Sequence, residues 1–86
     1  MQYNAKQYIQ QAQQRLSKDQ YLYFQAMLRD YKSKHLDINE LIQKVIDLFR
    51  ETEQDILMRD FVQFIPDRYK DAYSDKVSAL LDPVEG

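Results

Sequence analysis

The run Lys18–Ser33, KDQYLYFQAMLRDYKS, limits the possible folds more than any other part of this sequence. On a helix turning about 100° per residue, Phe24, Met27, Leu28 and Tyr31 form one stripe. Tyr21 and Tyr23 widen it on both flanks, and Leu22 and Ala26 lie further round. Only Lys18, Gln25, Arg29 and Lys32 remain as an unbroken polar strip. A helix with so little polar surface has to be covered from several directions. The other segments are therefore expected to pack around it, with part of its surface kept for a partner.

Each remaining segment carries one apolar face. Residues 3–16 place Ala5, Tyr8, Ile9, Ala12 and Leu16 at helical spacing behind Asn4 as N-cap, with the glutamines as helix formers on the solvated side. Ser17 and Gln20 have capping-box spacing, which predicts a sharp antiparallel hairpin between the first two helices; Asp37 and Glu40 repeat that spacing. The segment after Asp37 has the cleanest core stripe, Ile38, Leu41, Ile42, Val45, Ile46 and Phe49, with Leu48 at its edge. Thr52 is the candidate N-cap of a fourth helix that buries Leu57, Phe61 and Phe64 and is stopped by Pro66, because proline disfavours helical geometry in the residue before it. A fifth stripe, Tyr69, Ala72, Tyr73, Val77, Leu80 and Leu81, ends at Asp82-Pro83, with Val84–Gly86 expected as a frayed tail.

No stretch alternates apolar and polar residues over a β-branched run. The predicted class is all-α, a compact five-helix bundle with helices near residues 4–16, 18–33, 38–50, 53–64 and 67–81. Phe24, Leu28, Ile42, Val45, Phe49, Leu57, Phe61 and Tyr73 are expected among the most buried residues.

At 86 residues the chain makes one domain, 1–86, with its core over about 4–81. Met1 directly before Gln2, and the end at Gly86, are what a domain cut from a larger protein would show. Cysteine is absent, and no apolar run approaches the roughly 20 residues of a membrane span. The net charge of −2 is unevenly spread: residues 1–35 carry +4 and residues 36–86 carry −6. The basic half could steer an acidic partner segment. Nucleic-acid binding is disfavoured, because that footprint needs denser Lys and Arg.

Catalytic chemistry has little to work with. His35 is the single histidine and lacks the companions a metal site needs. Glu51, Glu53 and Asp55 lack the glycine and terminal glutamate of a calcium loop, and Asp71 and Asp75 sit among Lys70 and Lys76 as a solvated charged face. No nucleophile with its base, phosphate loop, metal set or cofactor site is expected, so the chain is read as a non-enzyme.

The run from Phe24 through MLRDYKSKHLDINELIQKVIDLF to FVQFIPDRYKDAY resembles the harmonin-homology domain, the five-helix module of harmonin, whirlin, the cerebral cavernous malformation scaffold protein and regulator-of-telomere-elongation helicases. Its most telling parts are L-x-D-Y-K at Leu28–Lys32, I-D-L-F at Ile46–Phe49, and the aromatic, aliphatic, proline and basic series from Phe61 to Tyr73. The helicase branch is the most similar, although Pro66 comes one position earlier than in its animal members and is followed by Asp67, Arg68 and Tyr69. The middle of the chain is also similar to the paired amphipathic helix domain of Sin-type co-repressors, a four-helix relative. The further periodic segment Ala72–Leu81 favours the harmonin type.

The resemblance implies a nuclear, non-catalytic protein-interaction module that binds an amphipathic helix or short linear motif of a replication or repair protein. Its parent would be an ATP-dependent DNA helicase involved in DNA repair and telomere maintenance. A co-repressor-type domain, a nucleic-acid binder and a self-associating bundle are the alternatives; a monomer is expected. The groove is expected along the second helix and the facing part of the third, where apolar residues exceed what one core stripe needs. Its candidate residues are Tyr23, Met27, Tyr31, Leu41 and Leu48, with Lys32 and Lys34 at its end to attract acidic flanks.

Overall fold

The computed structural model describes residues 4–81, which form five α-helices and one 3-10 turn. In chain order these are α1 (Ala5–Arg15), α2 (Lys18–Lys32), α3 (Ile38–Glu51), α4 (Asp55–Asp60), the 3-10 turn Phe61–Phe64, and α5 (Asp67–Leu81). No strand occurs among the described residues. The Val84–Gly86 tail lies outside them.

Local side-chain chemistry fixes the first three helix starts. Asn4 accepts from the Gln7 N–H while the Gln7 side chain returns a bond to the Asn4 N–H, both at 2.9 Å. Ser17 and Gln20 make the same reciprocal pair at 3.2 and 3.0 Å. Asp37 accepts from the Glu40 N–H at 2.8 Å. Each bond satisfies a donor that the helix start would otherwise leave unpaired.

Two helix ends use left-handed residues other than glycine. After α2, Lys34 has φ 67°; its N–H donates to the Tyr31 carbonyl and the His35 N–H to that of Asp30. After α3, Glu53 has φ 59°; its N–H donates to Arg50 and the Gln54 N–H to Phe49. Both patterns are Schellman motifs. The second corrects the expected boundary at Thr52, which closes α3 instead of opening α4: its N–H and Oγ1 both donate to the Leu48 carbonyl, at 3.0 and 2.9 Å.

The expected helix 53–64 is likewise shorter, and its last part is wound more tightly. Pro66 holds Ile65 extended (φ −87°, ψ 135°), and the preceding turn adopts 3-10 geometry. In that geometry residues three apart eclipse, which brings the Phe61 and Phe64 rings to 5.4 Å. Phe61 is fully buried, with the rings of Tyr8, Phe24 and Tyr73 at 6.0–6.2 Å. Phe64 is only half-buried, against the expectation that it belongs to the core proper.

The bundle is organised around α3, not α2. α3 packs between α2 and α4 and buries Leu41, Ile42, Val45, Ile46, Leu48 and Phe49. α2 buries only Phe24 and Met27, and leaves Leu22 and Tyr23 about half exposed. Leu28, expected in the core, is half-buried at the surface between α1 and α2.

Candidate functional site

That surface is a groove. α1 and α2 are tied together at the Leu16–Ser17 turn, and the opposite end of the pair opens into a space of about 650 Å3. Its apolar lining comes from Ile9 of α1, Leu28 and Tyr31 of α2, Leu41 of α3, and Phe64 of the 3-10 turn. Lys6, Arg29 and Lys32 stand around it, and none of the three is ion-paired among the described residues.

Local geometry explains each wall. The Asn4 cap starts α1 so that Tyr8 and Ala12 enter the core, and Ile9, one position on, falls at the core's margin. Leu28 stands beside buried Met27 in the same way. Phe64 is presented by the tightened turn, its ring edge-on to Tyr8 at 5.1 Å. The groove wall is therefore backed directly by the core.

The residues expected to form a site are divided over three places. Tyr31, Leu41 and Lys32 line the α1/α2 groove. Tyr23 and Leu48 border a separate hollow of about 330 Å3 flanked by Asp19, Lys44, Asp47 and Glu51. Lys34 borders a third hollow at the α2–α3 turn. Met27 is only 3% exposed and Leu48 5%, so the α2/α3 contact is packed at these two residues and opens only at the hollow beside Tyr23. Leu41, at 1% exposure, serves as groove floor without being surface.

Lys6, Ile9, Leu28, Arg29 and Phe64 were not anticipated at the site. The available signal was the pairing of apolar neighbours, Tyr8 with Ile9 and Met27 with Leu28. Such pairs are wider than the single face that a small bundle covers.

Two tyrosine hydroxyls hold the floor's foundation. Tyr8 Oη donates to the Leu57 carbonyl and Tyr73 Oη to the Met58 carbonyl, both at 2.6 Å. Desolvation by burial pushes the Tyr73 phenol well above its ordinary value. Among the described residues no cluster of His, Cys, Asp or Glu is placed to hold a metal ion. None of the helices described is long and apolar enough to cross a membrane.

Comparison with known proteins supports the same architecture. A family model for the RTEL1 harmonin-homology (HHD) domain matches residues 1–81. A curated protein named regulator of telomere elongation helicase 1 homolog, from Arabidopsis thaliana, is 26% identical over 72 residues. That alignment covers 84% of this chain but 7% of the relative, so the chain spans a small part of that protein's length. No solved structure matches. The harmonin-homology fold is not a catalytic one. With a match running through all five helices, the chain belongs to the RTEL1 family of harmonin-homology domains.

Proposed function

We propose that this domain is a recruitment module that captures an amphipathic helix or short linear motif of a replication, repair or telomere protein in the α1/α2 groove. Its parent is a nuclear, ATP-dependent DNA helicase, and the domain acts as a monomer. The observation that carries the reading is the groove itself: Ile9, Leu28, Tyr31 and Phe64 present half-buried apolar surface that no other element among the described residues covers. A helix laid there would insert residues at i, i+3 or i+4, and i+7. Three aliphatic anchors at about 1.5–3 kcal/mol each give about 4.5–9 kcal/mol before the cost of ordering, so the expected affinity is micromolar or weaker.

The test is capture of partners by the 86-residue domain, mapping of the shortest bound peptide, and NMR titration with it. Shifts centred on Ile9, Leu28 and Phe64 that persist at high salt, where apolar contacts survive, support the reading. Binding that weakens steeply with salt and shifts only the lysines and arginines would make the domain a nucleic-acid binder instead. Concentration-dependent dimerisation through the same residues, seen by sedimentation, would make the groove a self-association face.

A further inference from the structure

The apolar groove continues past Tyr31. Tyr31 and Lys32 also line the hollow of about 750 Å3 between the α2–α3 turn and the start of α5, where Lys34, Arg68 and Tyr69 form the border. The two spaces therefore share a wall. Lys34 and Arg68 are exposed, and neither is ion-paired among the described residues. Lys34 is held in place by the Schellman motif, and the Arg68 guanidinium lies 5.8 Å from the Tyr69 ring centroid.

Two carboxylates, Asp37 and Glu40, also border this hollow. Asp37 is the N-cap of α3 and Glu40 lies in its first turn; Asp37 accepts the Glu40 N–H, and the helix dipole offsets their charge. His35, beside them, has its Nδ1 2.9 Å from Ser33 Oγ. Along the channel the surface thus changes from an apolar floor rimmed by Lys6, Arg29 and Lys32 to a polar end with two phenols, where Lys32, Lys34 and Arg68 outnumber Asp37 and Glu40.

We infer that the groove's ligand is bipartite: an amphipathic helix over Ile9, Leu28 and Phe64, continued by an acidic segment that lies in the second hollow against Lys34 and Arg68. This rests on the α1/α2 groove being the docking site. Charge complementarity selects the occupant of the second part. Carboxylates in the hollow meet Lys32, Lys34 and Arg68, and the hydroxyls of Tyr31 and Tyr69 can donate to them. A peptide is favoured over a nucleic acid because the first part of the channel is apolar. The acidic segment acts at the rim, so it raises the association rate and makes that share of affinity salt-dependent.

The experiment is selection of helical peptides with randomised flanks against the 86-residue domain, followed by affinity measurement on the selected peptides. The expected consensus has apolar residues at helical spacing followed by an acidic run. Changing that run to glutamines is expected to lower affinity about tenfold at low salt. The loss should shrink to about twofold on the double variant Lys34→Gly, Arg68→Gln, which leaves only Lys32 of these three cations in the hollow and whose glycine suits the left-handed position, so that folding is retained. Peptides without an acidic run, or a run whose effect is undiminished in the double variant, overturn the bipartite ligand while leaving the groove. Peptides whose binding is unaffected by both Ile9→Ser and Leu28→Ser, each checked for folding by thermal melting, overturn both readings. A single-stranded oligonucleotide that displaces the acidic run and binds the hollow more tightly than the peptide also overturns the proposal.

Discussion

Tyr8 and Tyr73, from the first and last helices, donate to the adjacent carbonyls of Leu57 and Met58. α4 gives way at Asp60 to the 3-10 turn, where the Phe61 N–H still donates to the Leu57 carbonyl, so the Tyr8 phenol is a second donor there. The two phenols reach this helix end from opposite ends of the sequence. Removing one hydroxyl leaves a buried acceptor short of a donor, which costs about 1–3 kcal/mol. Tyr73→Phe is expected to lower the melting temperature by about 4–8 °C per kcal/mol lost. An unchanged melt would show that the bond contributes nothing net.

The same phenol predicts alkaline instability. Burial raises the folded-state pKa of Tyr73 above that of the unfolded chain, about 10. Above that pH the unfolded state releases a proton that the folded state keeps, so stability is fully present below pH 10 and declines above it. Denaturant midpoints measured from pH 8 to 11.5 should fall above pH 10, and Tyr73→Phe should flatten that part of the profile.

The left-handed helix ends leave room for stabilisation. Lys34 and Glu53 carry a Cβ where glycine has none, at a cost of about 1–2 kcal/mol per residue, partly offset by the greater freedom of glycine in the unfolded chain. Lys34→Gly and Glu53→Gly should each raise stability by about 1 kcal/mol, and their effects should add. Destabilisation by either substitution would contradict the cap geometry.

Core and groove substitutions should separate cleanly. Phe61→Ala removes a fully buried ring and should cost about 3–5 kcal/mol, and Met27→Ala about 2–5 kcal/mol. Ile9→Ser and Leu28→Ser act on half-buried side chains and should cost less, while lowering peptide affinity at least tenfold. Equal losses of stability across all four would assign Ile9 and Leu28 to the core.

Legibility in the sequence followed locality. The Asn4, Ser17 and Asp37 caps depend on residues three apart, and Phe49 and Phe61 sit at the centre of unambiguous stripes, so all were readable. Thr52 was misread because the turn after α3 is built on a left-handed Glu53, which no glycine announces. Met27 and Leu28 illustrate the other kind of difficulty. They are neighbours on one broad apolar face, and which of them meets the core and which the groove depends on where α3 and α1 lie. Helical spacing likewise identifies surplus apolar surface but not the neighbour that covers it. The placement of Phe64 depended on a 3-10 turn that a continuous helical pattern concealed.

The Phe61–Phe64 step also bears on how such a domain can change over time. Phe61 lies in the core and Phe64 in the groove wall, one eclipsed turn apart, and Tyr8 touches both rings. Substitution at Phe64 that reshapes the groove for a new ligand therefore disturbs the packing around Tyr8 and, through its hydroxyl, the capping of α4. Ile9 and Leu28 carry no such link to a buried hydrogen bond. In the proposed recruitment role, a change of partner is thus expected to fall on Ile9 and Leu28, while the aromatic at position 64 is constrained by the fold itself.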